Sequence, residues 1–525
     1  MRPFFRFGID SLAIAIACTF VAQAAMAADL IEVSGGLVEG TVVAGTDVRL
    51  FKGIPFAAAP TGKLRWQAPG PVQPWEGVRK ADTWGTRCMQ GAMFGGPLVT
   101  RDKSMGEDCL YLNVWTPAKK NTTEGLPVLI VFYGGGFAAG SASEPRTDGA
   151  WLAQQGIVVV EPNYRLGLFG FFAHPELSAE SNGRGSGNYG MLDQVAALRW
   201  VQDNVTAFGG NPNDITINGE SAGSMSVSAL MASPLSRDMI HKGIGQSGAF
   251  FASPDREMRE KSLTEKEQDG LHFAASVGAG SLAELRAMSA GDLLAAVMKQ
   301  NNGWGYSPGL DGYFLPEPVA KIYADGKQAK IPLLAGWTSA ELGMAVAFNP
   351  EKPTAESFRV NLEKQFGTRA GDALKVYPAA TDEEAMVSAA ALASDLFISY
   401  STWKWIEAHK ASSGAPVYRY RFDRTIPGDP ASQFGAIHAV DIEYAFNTLD
   451  SKQANWQEKD HKVAEVMATA IAHFVRSGDP NGPGVPSWPE YGKSGKVMYF
   501  DSESSSAPEA FRSRYEFLES VSGQE

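Results

Sequence analysis

Ser221, a serine flanked by two glycines, is the residue of this chain whose surroundings best suit covalent chemistry. It lies in "DITINGESAGSMSVSALM", Asp214 to Met231, and completes the pattern Gly-x-Ser-x-Gly. A serine in that pattern acts as an acyl-transfer nucleophile when it stands on a sharp turn between a strand and a helix. About half of one match is expected by chance in 525 residues with 56 glycines, so the context must decide.

The sequence around Ser221 predicts such a turn. "DITING" is typical of a buried strand, and "SMSVSALMAS" has apolar residues at helical spacing. Gly219 and Gly223 leave room for a tight, strained turn, and the N-terminus of the following helix favours a developing anion. The alternative is a glycine-rich turn between strand and helix with no catalytic role.

A glycine-rich segment ahead of the serine is a candidate oxyanion hole. "VFYGGGFAAGSA", Val131 to Ala142, places three glycines directly after an apolar run that is typical of a strand. Backbone N–H groups can face a ligand there because no Cβ blocks the approach. The segment lacks the lysine of a phosphate-binding P-loop and does not fit a dinucleotide motif. A plain strand-exit turn is the alternative.

A serine nucleophile needs a base and an acid, which follow it in the order serine, acid, histidine in one hydrolase fold. "LLAGWTSAELGM" places Glu341 just beyond a predicted strand, and "QFGAIHAVDIEYAF" places His438 in an irregular segment. Either residue taken alone would more often have a structural role than a catalytic one. The remaining histidines fall mostly in predicted helices or polar surface: His174, His241, His272, His409, His461 and His473.

Short apolar runs that alternate with helical patterns predict a mostly parallel sheet flanked by helices. Their continuous apolar character is typical of strands that are covered on both faces. The segment 191–208 predicts a helix, and the N-terminal segment from Leu30 to Ala57 predicts antiparallel hairpins at a sheet edge. Segments 254–326 and 351–391 predict helical insertions over the sheet. The predicted strands are 127–133, 156–164, 214–219, 331–337, 416–423 and 497–500.

The first 27 residues predict a secretory signal peptide, so we expect one domain over 28–525. Two arginines precede a short apolar run, and small residues follow before Ala27. An uncleaved anchor, a buried N-terminal helix or a lipid-anchored start at Cys18 are alternatives. We expect export to the periplasm or secretion, and no integral membrane segment, because later apolar runs are too short to span a bilayer.

The cysteine count and the net charge bear on the disulfide, the partners and the metal sites that we expect. If Cys18 leaves with the signal, Cys88 and Cys109 remain, and a single disulfide is the simplest arrangement in an exported chain. The net charge of −12 argues against nucleic acid or an anionic membrane as partner. Few cysteines and no clustered histidines argue against a metal site.

Several long motifs resemble the type-B carboxylesterases, a group that includes cholinesterases, some lipases and para-nitrobenzyl esterases. "EDCLYLNVWTP" and "FGGNPNDITINGESAGS" resemble its two signatures. Further matches are "FKGIPFAAAPTGKLRW", "NYRLGLFGF", "GNYGMLDQVAALRWV" and "FVRSGDPN", so the resemblance covers essentially the whole chain after the signal. It implies an α/β-hydrolase fold, a serine ester hydrolase with an acyl-enzyme intermediate, and no cofactor.

The resemblance implies a role for particular residues. Ser221 is similar to the family nucleophile, His438 to the general base and acid, and Glu341 to the orienting carboxylate. The other residues that match family positions are Gly135, Gly136 and Ala222 in the oxyanion hole, Glu220 and Ser247 as supporting residues, and the disulfide pair Cys88 and Cys109.

The sequence departs from the family pattern in three places, one of which bears on the expected substrate. Val99 lies near the place where cholinesterases carry a choline-binding tryptophan, so specificity for quaternary ammonium is not expected. "SAELG" replaces the usual motif at Glu341, and Tyr133 replaces a histidine that many relatives have before the glycines. The expected partner is a small-molecule ester, and the protein is expected to be a monomer or homodimer.

Two other functions remain open: a non-catalytic binding protein with this fold, or a lipase or amidase that uses the same triad. The ester itself also stays open, because the aromatic residues that could line the site equally suit a core. Those aromatic residues are Trp304, Tyr306, Phe314 and Trp337.

Overall fold

The computed structural model describes residues 30–92, 98–117, 125–251, 259–301 and 303–522. The predicted signal peptide, 1–27, and Cys18 lie outside the described residues.

The strands of the described chain form one large sheet and three small ones. In chain order they are β1 (Leu30–Val33), β2 (Gly36–Glu39), β3 (Thr41–Val42), β4 (Arg49–Pro55), β5 (Val78–Lys80), β6 (Arg87–Cys88), β7 (Met105–Gly106), β8 (Tyr111–Thr116), β9 (Leu126–Phe132), β10 (Val158–Pro162), β11 (Gly210–Glu220), β12 (Lys242–Gln246), β13 (Lys261–Ser262), β14 (Gly309–Leu310), β15 (Leu333–Thr338), β16 (Val417–Phe422), β17 (Lys496–Phe500) and β18 (Ser505–Pro508).

The large sheet has eleven strands in the order β18-β17-β16-β15-β12-β11-β9-β10-β8-β4-β3. The seven strands from β17 to β10 in that order pair in parallel, and the strands at both edges pair antiparallel. Each of the six predicted strands overlaps an observed one. The prediction of a mostly parallel central sheet is therefore confirmed.

The helices pack on the sheet and connect its strands. In chain order they are α1 (Ala150–Gln154), α2 (Gly167–Phe171), α3 (Pro175–Glu180), α4 (Tyr189–Asn204), α5 (Ala222–Ala232), α6 (Leu263–Ser276), α7 (Leu282–Ala287), α8 (Ala290–Asn301), α9 (Val319–Ala324), α10 (Gly343–Ala347), α11 (Ala355–Phe366), α12 (Ala370–Val376), α13 (Asp382–Ser394), α14 (Tyr400–Ser413), α15 (Ile442–Ala445), α16 (Glu458–Ser477), α17 (Tyr491–Ser494) and α18 (Arg512–Val521). A π-helix, Asp395–Ser399, joins α13 to α14.

The predicted helix over 191–208 is observed as α4 followed by a short 3₁₀ turn, Val205–Phe208. The described parts of the two predicted insertions are largely helical, from α6 to α9 and from α11 to α13. Residues 254–258, where the first insertion was expected to begin, lie outside the described residues.

Strand β9 shows why the sheet could be predicted. Val128, Ile130 and Phe132 belong to the apolar cluster on one face of the sheet, while Leu129 and Val131 belong to the cluster on the other. All five side chains are buried. Successive side chains of β9 point to opposite faces of the sheet, and both faces are apolar. The sequence of the strand is therefore a continuous apolar run.

Strand β12 was not predicted, although it lies between β11 and β15 in the sheet. Its sequence, "KGIGQ", contains two glycines and a lysine, residues that are depleted in strands. Gly245 is required because a Cβ there would lie 2.3 Å from the Trp405 ring. The ammonium of Lys242 pairs with Asp214 at the start of the strand. Tertiary packing overrides the weak local preference.

The N-terminal prediction was partly right. Strands β1 and β2 form the expected antiparallel hairpin, and β3 and β4 lie at the edge of the large sheet. The hairpin, however, pairs with β5 in a separate three-stranded sheet. The Trp75 ring packs on Gly35 at the hairpin turn, and this contact holds the segment before β5 against the hairpin.

Cys88 and Cys109 are joined by a disulfide with a sequence separation of 21. Both side chains are buried in the main apolar cluster. Within the described ranges, no helix has the length and apolar character that crossing a bilayer requires.

Candidate active site

Ser221 stands between the end of β11 and the start of α5, as the sequence predicts. Its backbone has φ 55° and ψ −121°, a strained conformation for a residue with a side chain. The Ser221 N–H donates to the carbonyl of Gln246 at the end of β12 (2.8 Å), which ties the turn to the neighbouring strand. This is the geometry of a nucleophile elbow.

Steric contacts require glycine at both positions that flank Ser221, Gly219 and Gly223. A Cβ on Gly219 would lie 2.2 Å from the carbonyl carbon of Gly223. A Cβ on Gly223 would lie 2.0 Å from the carbonyl oxygen of Phe132, at the end of β9. No side chain fits in either place, so the Gly-x-Ser-x-Gly pattern reflects steric need.

The three-glycine segment lies directly against the elbow. A Cβ on Gly134 would meet the carbonyl oxygen of Glu220 at 2.6 Å and Cβ of Ser221 at 3.1 Å. Gly135 and Gly136 have φ of +103° and +63°, values that favour glycine. Among the residues that the structure describes, none accepts a hydrogen bond from the N–H groups of Gly135, Gly136 or Ala222. These donors are therefore available to a ligand beside Ser221.

Glu341 and His438 are in direct contact, with 2.5 Å between Glu341 Oε2 and His438 Nδ1. The other carboxylate oxygen, Oε1, accepts from the Ser247 hydroxyl (2.6 Å) and from the Thr338 N–H (2.7 Å). Glu341 is fully buried, and three hydrogen bonds fix its orientation. A carboxylate held in this way selects the imidazole tautomer with its proton on Nδ1.

The opposite ring nitrogen, His438 Nε2, lies 3.3 Å from Oε1 of Glu220, the residue that precedes Ser221. The imidazole is therefore placed beside the elbow. Within the described part of the chain, the Ser221 hydroxyl itself has no hydrogen-bond partner. Catalytic hydrogen bonds are often long without substrate and tighten in the reacting complex.

Sheet topology explains why these residues meet. Strands β9, β11, β12, β15 and β16 are parallel neighbours, so their carboxyl ends lie along one edge. The site residues follow these ends in the same order: Gly134 to Gly136, Ser221, Ser247, Glu341 and, after a longer segment, His438. Ligand sites of open α/β sheets lie at that edge.

Residues 27–518 match the profile of the Carboxylesterase family. The chain belongs to this family. It is therefore a carboxylic ester hydrolase, and the family predicted from the sequence motifs is confirmed.

Among curated relatives, the carboxylesterase is 37% identical to the fumonisin B1 esterase of Sphingopyxis macrogoltabida over 483 residues, covering 89% of this chain and 85% of that one. It is 34% identical to the para-nitrobenzyl esterase of Bacillus subtilis (strain 168) over 489 residues, covering 89% and 94%.

Solved structures agree with this assignment. A PNB esterase structure matches with a TM-score of 0.80 at 32% identity, covering 93% of this chain and 99% of that one. The Geobacillus stearothermophilus carboxylesterase EST55 matches with a TM-score of 0.78 at 30% identity, with the same coverage. The predicted α/β-hydrolase fold is confirmed.

Carboxylates dominate the electrostatics around His438 in this carboxylesterase. Burial raises the pKa of Glu220, although the positive charges of His438 and Arg146 oppose that rise. Burial alone would lower the pKa of His438, but the carboxylates of Glu220 and Glu341 outweigh it and raise that pKa. The site therefore stabilises a positive charge on the imidazole, which is the charge that a base gains when it accepts a proton.

Asp441, three residues after His438, is a third buried acid of the carboxylesterase site. Its Oδ2 accepts from the hydroxyl of Tyr420 (2.7 Å) and from Nε2 of Gln246 (3.1 Å). Burial raises its pKa to about 6. Sequence reasoning missed Asp441, although the spacing of an acid just after the candidate base was a usable signal.

Two aromatic contacts of the site could not be predicted from the sequence, because they depend on tertiary packing. The Phe397 ring, carried by the π-helix, meets the His438 imidazole edge to face at 5.2 Å between centroids. Trp304 was an undecided candidate and lies against Gly136. Phe314 and Trp337 are fully buried core residues, and Tyr306 packs on Phe273.

Proposed function

We propose that this carboxylesterase hydrolyses small-molecule esters through a triad of Ser221, His438 and Glu341 and an acyl-enzyme intermediate. The observation that carries the proposal is the buried Glu341–His438 contact at 2.5 Å, placed beside a serine on a strained elbow. Serine hydroxyls are weak nucleophiles without such a base.

In the first step, His438 Nε2 accepts the Ser221 proton while the serine oxygen attacks the ester carbonyl. Glu341 keeps the other imidazole proton on Nδ1 and stabilises the imidazolium that forms. The carbonyl oxygen becomes an oxyanion. The N–H groups of Gly135, Gly136 and Ala222 donate to it, and each such donor contributes about 2.7–4 kcal/mol in the transition state.

The tetrahedral intermediate then collapses. The C–O bond to the alcohol breaks, and the leaving alcohol takes the proton from His438 Nε2, leaving an acyl group on Ser221. In the second half, water attacks the acyl carbon and gives its proton to the same nitrogen. The acid leaves, and the proton returns to Ser221.

Two neighbours support the triad in this proposal. Ser247 orients Glu341 through the 2.6 Å hydrogen bond to Oε1. Glu220 stabilises the charged form of His438 from 3.3 Å. Ser247 therefore acts through Glu341, whereas Glu220 acts directly on the nitrogen of His438 that takes the proton.

We also propose that the protein is exported and that residues 1–27 are its signal. The Cys88–Cys109 disulfide supports this, because disulfides persist mainly in oxidising compartments. Cell fractionation with mass spectrometry of the N-terminus tests it. Recovery in the cytoplasm of a chain that retains residues 1–27 would contradict export.

The triad proposal is tested with Ser221→Ala and a fluorophosphonate probe that labels activated serines. We expect the wild type to be labelled at Ser221 and the variant to lose both labelling and at least about 10³-fold of ester turnover. Ser226→Ala, a buried serine of α5, is the matched control and should keep both. Full turnover by a folded Ser221→Ala variant would overturn the mechanism.

A further inference from the structure

The segment that carries His438 is strained at the residue after the base. Ala439 has φ of +66°, in the left-handed region that a residue with a side chain rarely adopts. Such a conformation persists only where the surrounding structure holds it in place. The contacts that hold this segment therefore bear on the position of the imidazole.

The turn that carries Glu341 binds the backbone of this segment directly. Ala436 lies two residues before His438 and is fully buried. Its N–H donates to the hydroxyl oxygen of Ser339 (2.9 Å), and its carbonyl accepts from the N–H of Ala340 (2.8 Å). One turn thus satisfies both backbone polar groups of Ala436. These two hydrogen bonds join the acid to the base in addition to their direct contact.

The turn itself is fixed by the sheet. Ser339 follows β15 directly and donates its own N–H to the carbonyl of Phe422 at the end of β16 (2.9 Å). Gly435 packs closely on the Ser339 hydroxyl, because a Cβ at position 435 would lie 2.6 Å from Oγ of Ser339. The hydroxyl therefore connects the edge of the sheet to the segment of the base.

We propose that Ser339 is a positioning residue, whose hydroxyl holds the imidazole of His438 in line by fixing the backbone at Ala436. The proposal rests on the proposed function, in which His438 takes the serine proton. Without the hydroxyl, the Ala436 N–H loses its acceptor and the strained backbone at Ala439 relaxes, which moves the imidazole. A misplacement of about 1 Å costs up to about 10²-fold in rate.

The test measures kcat and KM for phenyl acetate in Ser339→Ala and Ser339→Thr, normalised to the active sites that a fluorophosphonate probe labels at completion. Ser339→Ala removes the acceptor, whereas Ser339→Thr keeps a hydroxyl. Ser413→Ala is the matched control. The Ser413 hydroxyl also accepts from the backbone N–H of an alanine, Ala415 (3.1 Å), but ahead of β16, at the opposite end of the sheet.

We expect Ser339→Ala to lower kcat about five- to fiftyfold, which is less than a misplacement of about 1 Å costs, and to change KM less than about twofold. A displaced base slows the proton transfers but leaves the contacts that bind the ester. Ser339→Thr should recover most of kcat. Ser413→Ala should keep the kcat and KM of the wild type.

Gly435→Ala perturbs the same hydroxyl from the other side. Its new Cβ would press on Oγ of Ser339, so we expect it to lower kcat more in the wild-type background than in Ser339→Ala, where that oxygen is gone. Alanine at φ +135° is strained in both backgrounds, and this strain cancels in the double-mutant cycle.

An unchanged kcat in Ser339→Ala, together with a lower midpoint of urea unfolding, would overturn the proposal, since the hydroxyl would then only stabilise the fold. Additive losses in the cycle would also overturn it, because Gly435→Ala would then act without the hydroxyl. Failure of the proposed function looks different. Folded wild type that the probe does not label at Ser221 removes the triad, whereas labelled Ser339→Ala with unchanged kcat removes only the role of Ser339.

Discussion

Replacing Glu220 with glutamine should extend activity to lower pH. Glutamine keeps the shape of the side chain and removes its negative charge, which faces His438 Nε2 at 3.3 Å. The carboxylate raises the pKa of His438 by stabilising the imidazolium. In the proposed mechanism the base must be neutral to accept the serine proton, so activity is expected to fall as pH drops through that pKa. Removing the carboxylate lowers the pKa of His438, so the acid limb of the rate profile moves to lower pH.

The expected size of the shift follows from the distance. Two unit charges 3.3 Å apart interact by about 5 kcal/mol at an effective dielectric constant of 20 and by about 1.3 kcal/mol in bulk water. One pKa unit corresponds to about 1.36 kcal/mol, so these limits span about one to four units. The imidazole side chain is 22% exposed, and Glu220 also gains a proton readily because burial raises its pKa. Both effects make the change in the pKa of His438 smaller, so we expect a drop of about one to two pKa units.

The assay is kcat/KM of a non-ionising ester, such as phenyl acetate, measured across pH, because this ratio reports the pKa of the free enzyme. The control is Glu503→Gln, which removes an exposed carboxylate between β17 and β18. It should leave the acid limb in place, since solvent and salt screen an exposed surface charge. An acid limb that stays in place or moves up in Glu220→Gln would refute the electrostatic reasoning.

Two further predictions concern Glu341, the acid of the proposed triad, and the disulfide. Glu341→Gln should lower kcat about 10³–10⁴-fold, because the amide no longer stabilises the imidazolium, while KM for phenyl acetate changes little; a loss below tenfold would contradict its role as the orienting acid. Cys88→Ser should lower the free energy of unfolding in urea by about 3 kcal/mol, because the bond to Cys109 closes a loop with a separation of 21. The folded fraction should keep its kcat, and an unchanged urea midpoint would contradict this account.

Much of the fold could be predicted because the parallel strands bury both faces. Strand β9 is then apolar throughout, and the helical period of α4 between β10 and β11 marks the crossover. The elbow could be predicted for a steric reason, since the Phe132 carbonyl oxygen leaves no room for a side chain at position 223. In these places local sequence and tertiary contact demand the same residues.

Other features could not be predicted, because their causes lie far away in the chain. The sequence of β12 has no strand pattern, and the strand makes sense only once Trp405, from α14, is known to fill the space above Gly245. The contact of Phe397 with His438 requires the π-helix, and nothing in "DLFIS" indicates the wide turn. Trp304 and Trp337 look alike in sequence, yet one is exposed beside a glycine and the other is buried in the core.

The unpredicted strand β12 also explains how Glu341 keeps its position although the sequence around it, "SAELG", differs from the usual family motif. Glu341 is held by the hydroxyl of Ser247, just beyond β12, and by the N–H of Thr338, the last residue of β15. These strands are parallel neighbours joined along their length, so the two donors have fixed positions. The carboxylate must reach both donors and the imidazole at once. The position of Glu341 therefore depends on the register between β12 and β15.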